Sequence, residues 1–128
     1  MKFSTPRSPD VESSSDSSFD RIRTVTGGTF DEKVLHAQGP VVAEFMSYGC
    51  VHCRAMEPIL QEVAGMVAPG ETIVRVNVAV EQDLATSFQV RGTPTLIMFS
   101  DGHEVARNEG PPPIVSTVLA AVTDPFEQ

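Results

Sequence analysis

The chain's only two thiols stand three residues apart, Cys50 and Cys53 in the stretch SYGCVHCRAMEP, residues 47–58. A Cys-x-x-Cys pair can be half of a zinc site, a small structural disulfide, or a couple that cycles between dithiol and disulfide. Its setting favours the third. An apolar run precedes it and a helix-period run follows, so Cys50 falls at a helix start, where unpaired N–H groups and the positive dipole end stabilise a thiolate. Cysteines so placed titrate at about 3.5 to 7.5 instead of about 8.5. Cys53, one turn further in, is expected to be more buried and to attack a mixed disulfide from within. His52 lies between them. Its ring can donate a hydrogen bond to the thiolate or, protonated, add a positive charge, which favours the dithiol and makes the disulfide more oxidising.

A closed structural zinc site wants four protein ligands, whereas only two thiolates exist and His36 and His103 are expected elsewhere. A structural disulfide across so short a loop stabilises little. The expectation is a redox pair with no metal and no cofactor.

Two further positions bear on it. Glu44 sits inside the apolar run Val41 to Met46, where an ionised carboxylate is costly to bury. Either it is a strand-edge glutamate reaching water, or its raised pKa makes it the acceptor of the Cys53 proton, directly or through water. Thr93-Pro94 precedes an apolar strand, where proline is tolerated only at the start. A trans turn proline is the simpler reading. A cis one would set an unpaired backbone segment beside the dithiol, against which an extended substrate could add as a strand.

The elements that must position these residues follow from hydrophobic period and turn chemistry. Arg21 to Thr26 alternates like a short strand and ends at Gly27-Gly28. Thr29 and Glu32 have capping-box spacing ahead of the helical stretch FDEKVLHAQ, which Gly39-Pro40 stops. PVVAEFMSY reads as a buried strand. The next helix carries Met56, Ile59, Leu60, Val63 and Val67 at helical spacing up to Pro69-Gly70, and TIVRVNVAV is a strand that should lie parallel to the one before. Asp83 can cap a short helix, LATSFQV, followed after Arg91-Gly92 by the strand TPTLIMFS. Asp101-Gly102 turns it into HEVARNE as a hairpin. The closing helix follows a proline run, with Ile114, Val118, Ala121 and Val122 on one face. These elements make an α/β sandwich without internal repeats.

With 128 residues, 41% of them hydrophobic, the chain suits one domain. Residues 1–20, rich in Ser, Asp and Pro, read as a disordered acidic tail, and residues 21–128 as the folded domain. A net charge of −8 opposes phosphate backbones and anionic lipid, so no nucleic acid and no membrane is expected as a partner. The stretch MKFSTPRSPD lacks the apolar core of a secretory signal, and no apolar run approaches the roughly 20 residues that span a bilayer. A soluble cytoplasmic monomer is the expectation, periplasmic only if a signal peptide has been removed.

Taken in order, the strand VVAEF, the Cys-Val-His-Cys pair, Pro58 five residues into the helix, VRVNV, RGTPTLIMF, the Asp-Gly turn and Gly110 resemble the thioredoxin family across residues 21–124. The resemblance implies the thioredoxin fold, a three-layer sandwich with a central mixed β-sheet flanked by helices, and thiol–disulfide exchange with protein substrates. It puts Cys50 on the attacking cysteine, Cys53 on the resolving one, Glu44 on the buried acid and Pro94 on the cis-proline. Gly92, Thr93 and Gly110 fall on the substrate groove. Arg75 takes the place of a lysine and suggests a charge partner for Glu44, although arginine cannot exchange protons at working pH. The chain departs from the family's Trp-Cys-Gly-Pro-Cys in having Gly49 before Cys50, a Val-His dipeptide inside, and no tryptophan. The expected function is a protein-disulfide reductant served by an unidentified redox partner. The alternatives are an oxidant or isomerase tuned by His52, or a binding module whose cysteines are incidental.

Overall fold

The computed structural model describes residues 20–127. Five strands form one mixed sheet in the order β1-β3-β2-β4-β5. They are β1 (Arg23–Thr24), β2 (Val41–Met46), β3 (Thr72–Asn77), β4 (Thr95–Ser100) and β5 (His103–Glu109). The helices are α1 (Asp31–Leu35), a single turn of π type, α2 (Val51–Val67), α3 (Gln82–Ser87) and α4 (Val115–Thr123), the last followed by a 3₁₀ turn, Asp124–Phe126. β1 and β2 both run parallel to β3, whereas β4 runs antiparallel to β2 and to β5. This is the expected α/β sandwich around a mixed sheet.

Alternation along the strands divides the core in two. Val42, Ile73, Leu96 and Met98 face Met56, Leu60 and Val63 of α2 and Val118 and Val122 of α4. On the opposite face Val41, Ala43, Phe45, Val74, Val76, Ile97 and Phe99 meet Phe30, Val34 and Ala85. Four phenylalanines, Phe30, Phe45, Phe88 and Phe99, pack tilted or edge to face there, with centroids 5.2 to 6.4 Å apart. Central β2 is buried along its whole length, so the elements attached to its C-terminal end hold a fixed position.

Several local expectations change. β1 is two residues long because the Arg21 and Ile22 N–H groups bond to Gln61 Oε1 and Asp20 Oδ1 instead of entering the ladder. The capping box at α1 is not formed: Thr29 Oγ1 accepts the Thr26 N–H at 2.9 Å, and no side chain caps the helix. Asp83 lies inside the first turn of α3, where its charge suits the dipole, and Glu81 holds the cap position with its carboxylate bound to the Gly27 N–H. Ile114 is the extended residue before α4 and is exposed, so only Val118 and Val122 of the expected face are fully buried. Residues 1–19 of the expected tail lie outside the described residues. Its last residue, Asp20, bonds to Gln61 and Arg75, a contact that composition cannot reveal.

Candidate active site

Cys50 is the N-cap of α2, with β-region backbone angles (φ −86°, ψ 117°). Its Sγ accepts the Cys53 N–H at 3.1 Å, satisfying one of the orphan donors of the helix start. In the thiol form Sγ also reaches the Thr93 carbonyl, 3.6 Å away. Burial acts to raise the Cys50 pKa, but hydrogen bonds from the side chains of Cys53 and Thr93 and from the N–H groups of Cys53 and His52 outweigh it, and the thiol is lowered from its ordinary value. Cys53 is 2% exposed and goes the other way: burial, then the neighbouring Cys50, push it up to about 11. The two thiols are therefore unlike, one partly exposed and lowered, the other buried and raised.

Below them, Glu44 is fully buried on the face of β2 that looks toward α2, and neither carboxylate oxygen has a hydrogen-bond partner. Burial, reinforced by the charges of Glu57 and Cys50, raises it to about 8, with Arg75 pulling the opposite way. Arg75 is the register partner of Glu44 on β3, as an ion pair would require. The guanidinium nonetheless turns elsewhere: Nη2 to Glu57 at 2.6 Å, Nη1 to Asp20 at 3.2 Å and to the Ile22 carbonyl at 3.1 Å. The expected Glu44–Arg75 pairing is thus replaced by pairing with two carboxylates nearer the surface, where solvent shares the cost of desolvation.

The Thr93–Pro94 peptide is cis. Thr93 is half-buried beside Cys50, its backbone N–H making no backbone hydrogen bond among the described residues, while Pro94 accepts the Gly110 N–H at 2.9 Å. Thr95 Oγ1 donates to the Gly92 carbonyl at 2.7 Å and fixes the turn leading in. A Cβ on Gly92 would meet nothing within 4 Å, and Gly110 adopts a left-handed φ of +61°. Thr93 thus lies against the Cys50 sulfur, and the backbone bond between Pro94 and Gly110 ties the start of β4 to the end of β5 next to it.

His52 behaves differently from expectation. Its Nε2 lies 3.2 Å from the Pro111 carbonyl, so the ring spans from α2 to the loop after Gly110, and it is the His52 backbone N–H that bonds to the Cys50 sulfur. Sequence reasoning missed Glu57, although its position four residues after Cys53 on the same helix face was a usable signal. A cleft of about 460 Å³ joins Cys53, Glu57, Arg75 and Asp20 and opens beside Tyr48. Among the described residues no group of three or more His, Cys, Asp or Glu is placed to hold a metal ion, and no helix is long and apolar enough to cross a membrane.

Comparison with known proteins adds to this geometry. A family model described as Thioredoxin matches residues 21–121. The chain is similar to Thioredoxin C-2 of Corynebacterium nephridii, at 36% identity over 103 residues, covering 80% of this chain and 94% of that protein. It is also similar to Thioredoxin of Pseudomonas aeruginosa, at 33% over 105 residues, covering 82% and 95%, and to Thioredoxin of Mycobacterium tuberculosis, at 36% over 86 residues, covering 67% and 74%.

Proposed function

The chain belongs to the thioredoxin family and is a thiol–disulfide oxidoreductase, and we propose that Cys50 and Cys53 are its attacking and resolving groups in the reduction of protein disulfides. The observation that carries this reading is the asymmetry of the pair: a lowered, accessible Cys50 on a helix N-terminus and a raised, buried Cys53 one turn inside.

In the first step the Cys50 thiolate attacks one sulfur of a client disulfide, forming a mixed disulfide and expelling the other client sulfur as a thiolate, which takes a proton from water. That step removes the Cys50 charge and its hydrogen bond, both of which hold the Cys53 pKa up. Cys53 then loses its proton toward Glu44 and attacks Cys50 Sγ. The Cys50–client bond breaks, the second client sulfur leaves as a thiolate that takes a proton from water, and the Cys50–Cys53 disulfide remains, so two electrons have passed to the client. An external dithiol partner returns the protein to its reduced form.

Glu44 suits the acceptor role because it titrates near working pH, where a group can both take and release a proton. Gly92, Thr93, Pro94 and Gly110 would receive an extended client segment, with the Thr93 N–H, which makes no backbone bond among the described residues, serving as a strand-edge donor. The absence of other cysteines supports a reducing, cytoplasmic setting.

Replacing Cys50 by Ser should abolish reduction of a disulfide substrate such as insulin. Replacing Cys53 by Ser should leave attack intact and accumulate mixed disulfides visible by intact-protein mass spectrometry. Full turnover in the Cys50 variant would refute the assignment.

A further inference from the structure

Glu44 and Arg75 are side by side on adjacent parallel strands and point to the same face, yet the glutamate has no partner and the arginine has two others. The nearer of these is Glu57. It stands one helical turn above Cys53, lines the same cleft, and binds Arg75 Nη2 at 2.6 Å. Gln61 braces the arrangement by donating to both Glu57 Oε2 (2.9 Å) and Asp20 Oδ1 (2.6 Å). We propose that Glu57 is a positioning residue for thiol exchange: it holds the Arg75 guanidinium at the cleft mouth, away from Glu44, so that Glu44 remains an unpaired proton acceptor for Cys53.

The physical reason is the choice open to Arg75. Turned inward, it would meet a carboxylate in a site shielded from water, and an opposite charge at contact favours ionisation strongly, by about 1 to 3 pH units. Glu44 would then stay ionised at neutral pH and be a weak base for a thiol. Turned outward, the guanidinium satisfies Asp20, Ile22 and Glu57 together, leaving Nε as its one unpartnered nitrogen. The charged and titratable groups that act on Glu44 are Arg75 from β3, Glu57 from α2 and Cys50 at the N-cap of α2. Its neighbour on β4 is Leu96, which is apolar, and Asp20 acts through Arg75. Glu57 therefore works twice, by its charge and by retaining the cation.

This inference rests on reading Glu44 as the acceptor, and its test separates the two. The titration of the Glu44 carboxyl is followed by carbon-13 NMR in the reduced protein, alongside the pH profile of disulfide exchange. Glu57→Gln should lower the Glu44 midpoint by about one pH unit or more. Arg75→Met should raise the midpoint by more in the Glu57→Gln background than in the wild type, because only there is the guanidinium free to approach Glu44. Equal shifts in both backgrounds would overturn the holding role. Glu57 is partly exposed on a helix, so Glu57→Gln should fold whatever Arg75→Met does, and an unmoved midpoint in that single variant would overturn the proposal by itself. If instead Glu44→Gln kept the wild-type pH profile of exchange, the acceptor reading would fail while the titration still reported on Glu57.

Discussion

The residue with the most unusual surroundings is Glu44, a carboxyl sealed in the core without a hydrogen bond. Its cost to stability has a definite pH dependence. The folded-state pKa of about 8 lies above the value of about 4.3 of an unfolded glutamate, so between these values the folded state binds the extra proton. Stability therefore falls as pH rises through that window and the full penalty is present above pH 8. Glu44→Leu should remove it, so that the gain at pH 9 exceeds the gain at pH 4 by on the order of 3 to 5 kcal/mol in urea unfolding of the reduced protein. Glu71, also raised by burial, to about 7, contributes to the wild-type slope but cancels in the difference. A gain that did not depend on pH would mean that Glu44 is ionised in the fold throughout. The same residue shows how far sequence reading reached. A charge inside an apolar run signalled a special site, but the fate of its partner Arg75 depended on Glu57 and Asp20, which come from distant parts of the chain.

At the level of elements, the β4–β5 hairpin carries both sides of the candidate groove, because Pro94 precedes one strand and Gly110 follows the other. Its register rests on the Asp101-Gly102 turn, whose residues both have positive φ, +51° and +82°. That conformation matches the twist of the paired strands and was legible as an Asp-Gly signal. The sequence did not reveal that Gly102 packs against α1: a Cβ there would lie 2.7 Å from the Leu35 carbonyl oxygen. Gly102→Ala should therefore destabilise the fold by about 2 kcal/mol or more, through left-handed backbone and overpacking together. A loss below about 0.5 kcal/mol in denaturant melts would show that α1 yields easily. Helix α2 was read well because its apolar spacing is regular, whereas one-turn α1 was misjudged in cap because the Thr29 hydroxyl bonds back to the Thr26 N–H, and two-residue β1 in length because Gln61 takes the Arg21 N–H.

Across the whole molecule, the sequence carries a net charge of −8, and the reactive Cys50 thiol is lowered toward its anionic form. Coulomb steering then favours clients that present basic surfaces, and salt weakens it as the screening length falls from about 10 Å at 0.1 M to about 3 Å at 1 M. Of two peptide disulfides matched in potential, the one with Lys and Arg flanks should be reduced faster than the one with Asp and Glu flanks at low salt, the ratio approaching one at high salt. Equal rates at low salt would leave recognition to the groove alone. The sequence by itself determined the layered α/β architecture, the dithiol at a helix start and the resemblance that names the family, because hydrophobic period, turn residues and motif spacing are local properties of the chain. Only the tertiary structure decided that His52 bonds to Pro111, that Asp20 belongs to the fold, and that Arg75 turns from Glu44 to Glu57. Each of these is a competition among partners remote in sequence, settled by distance and burial, which exist only once the sheet has brought them together.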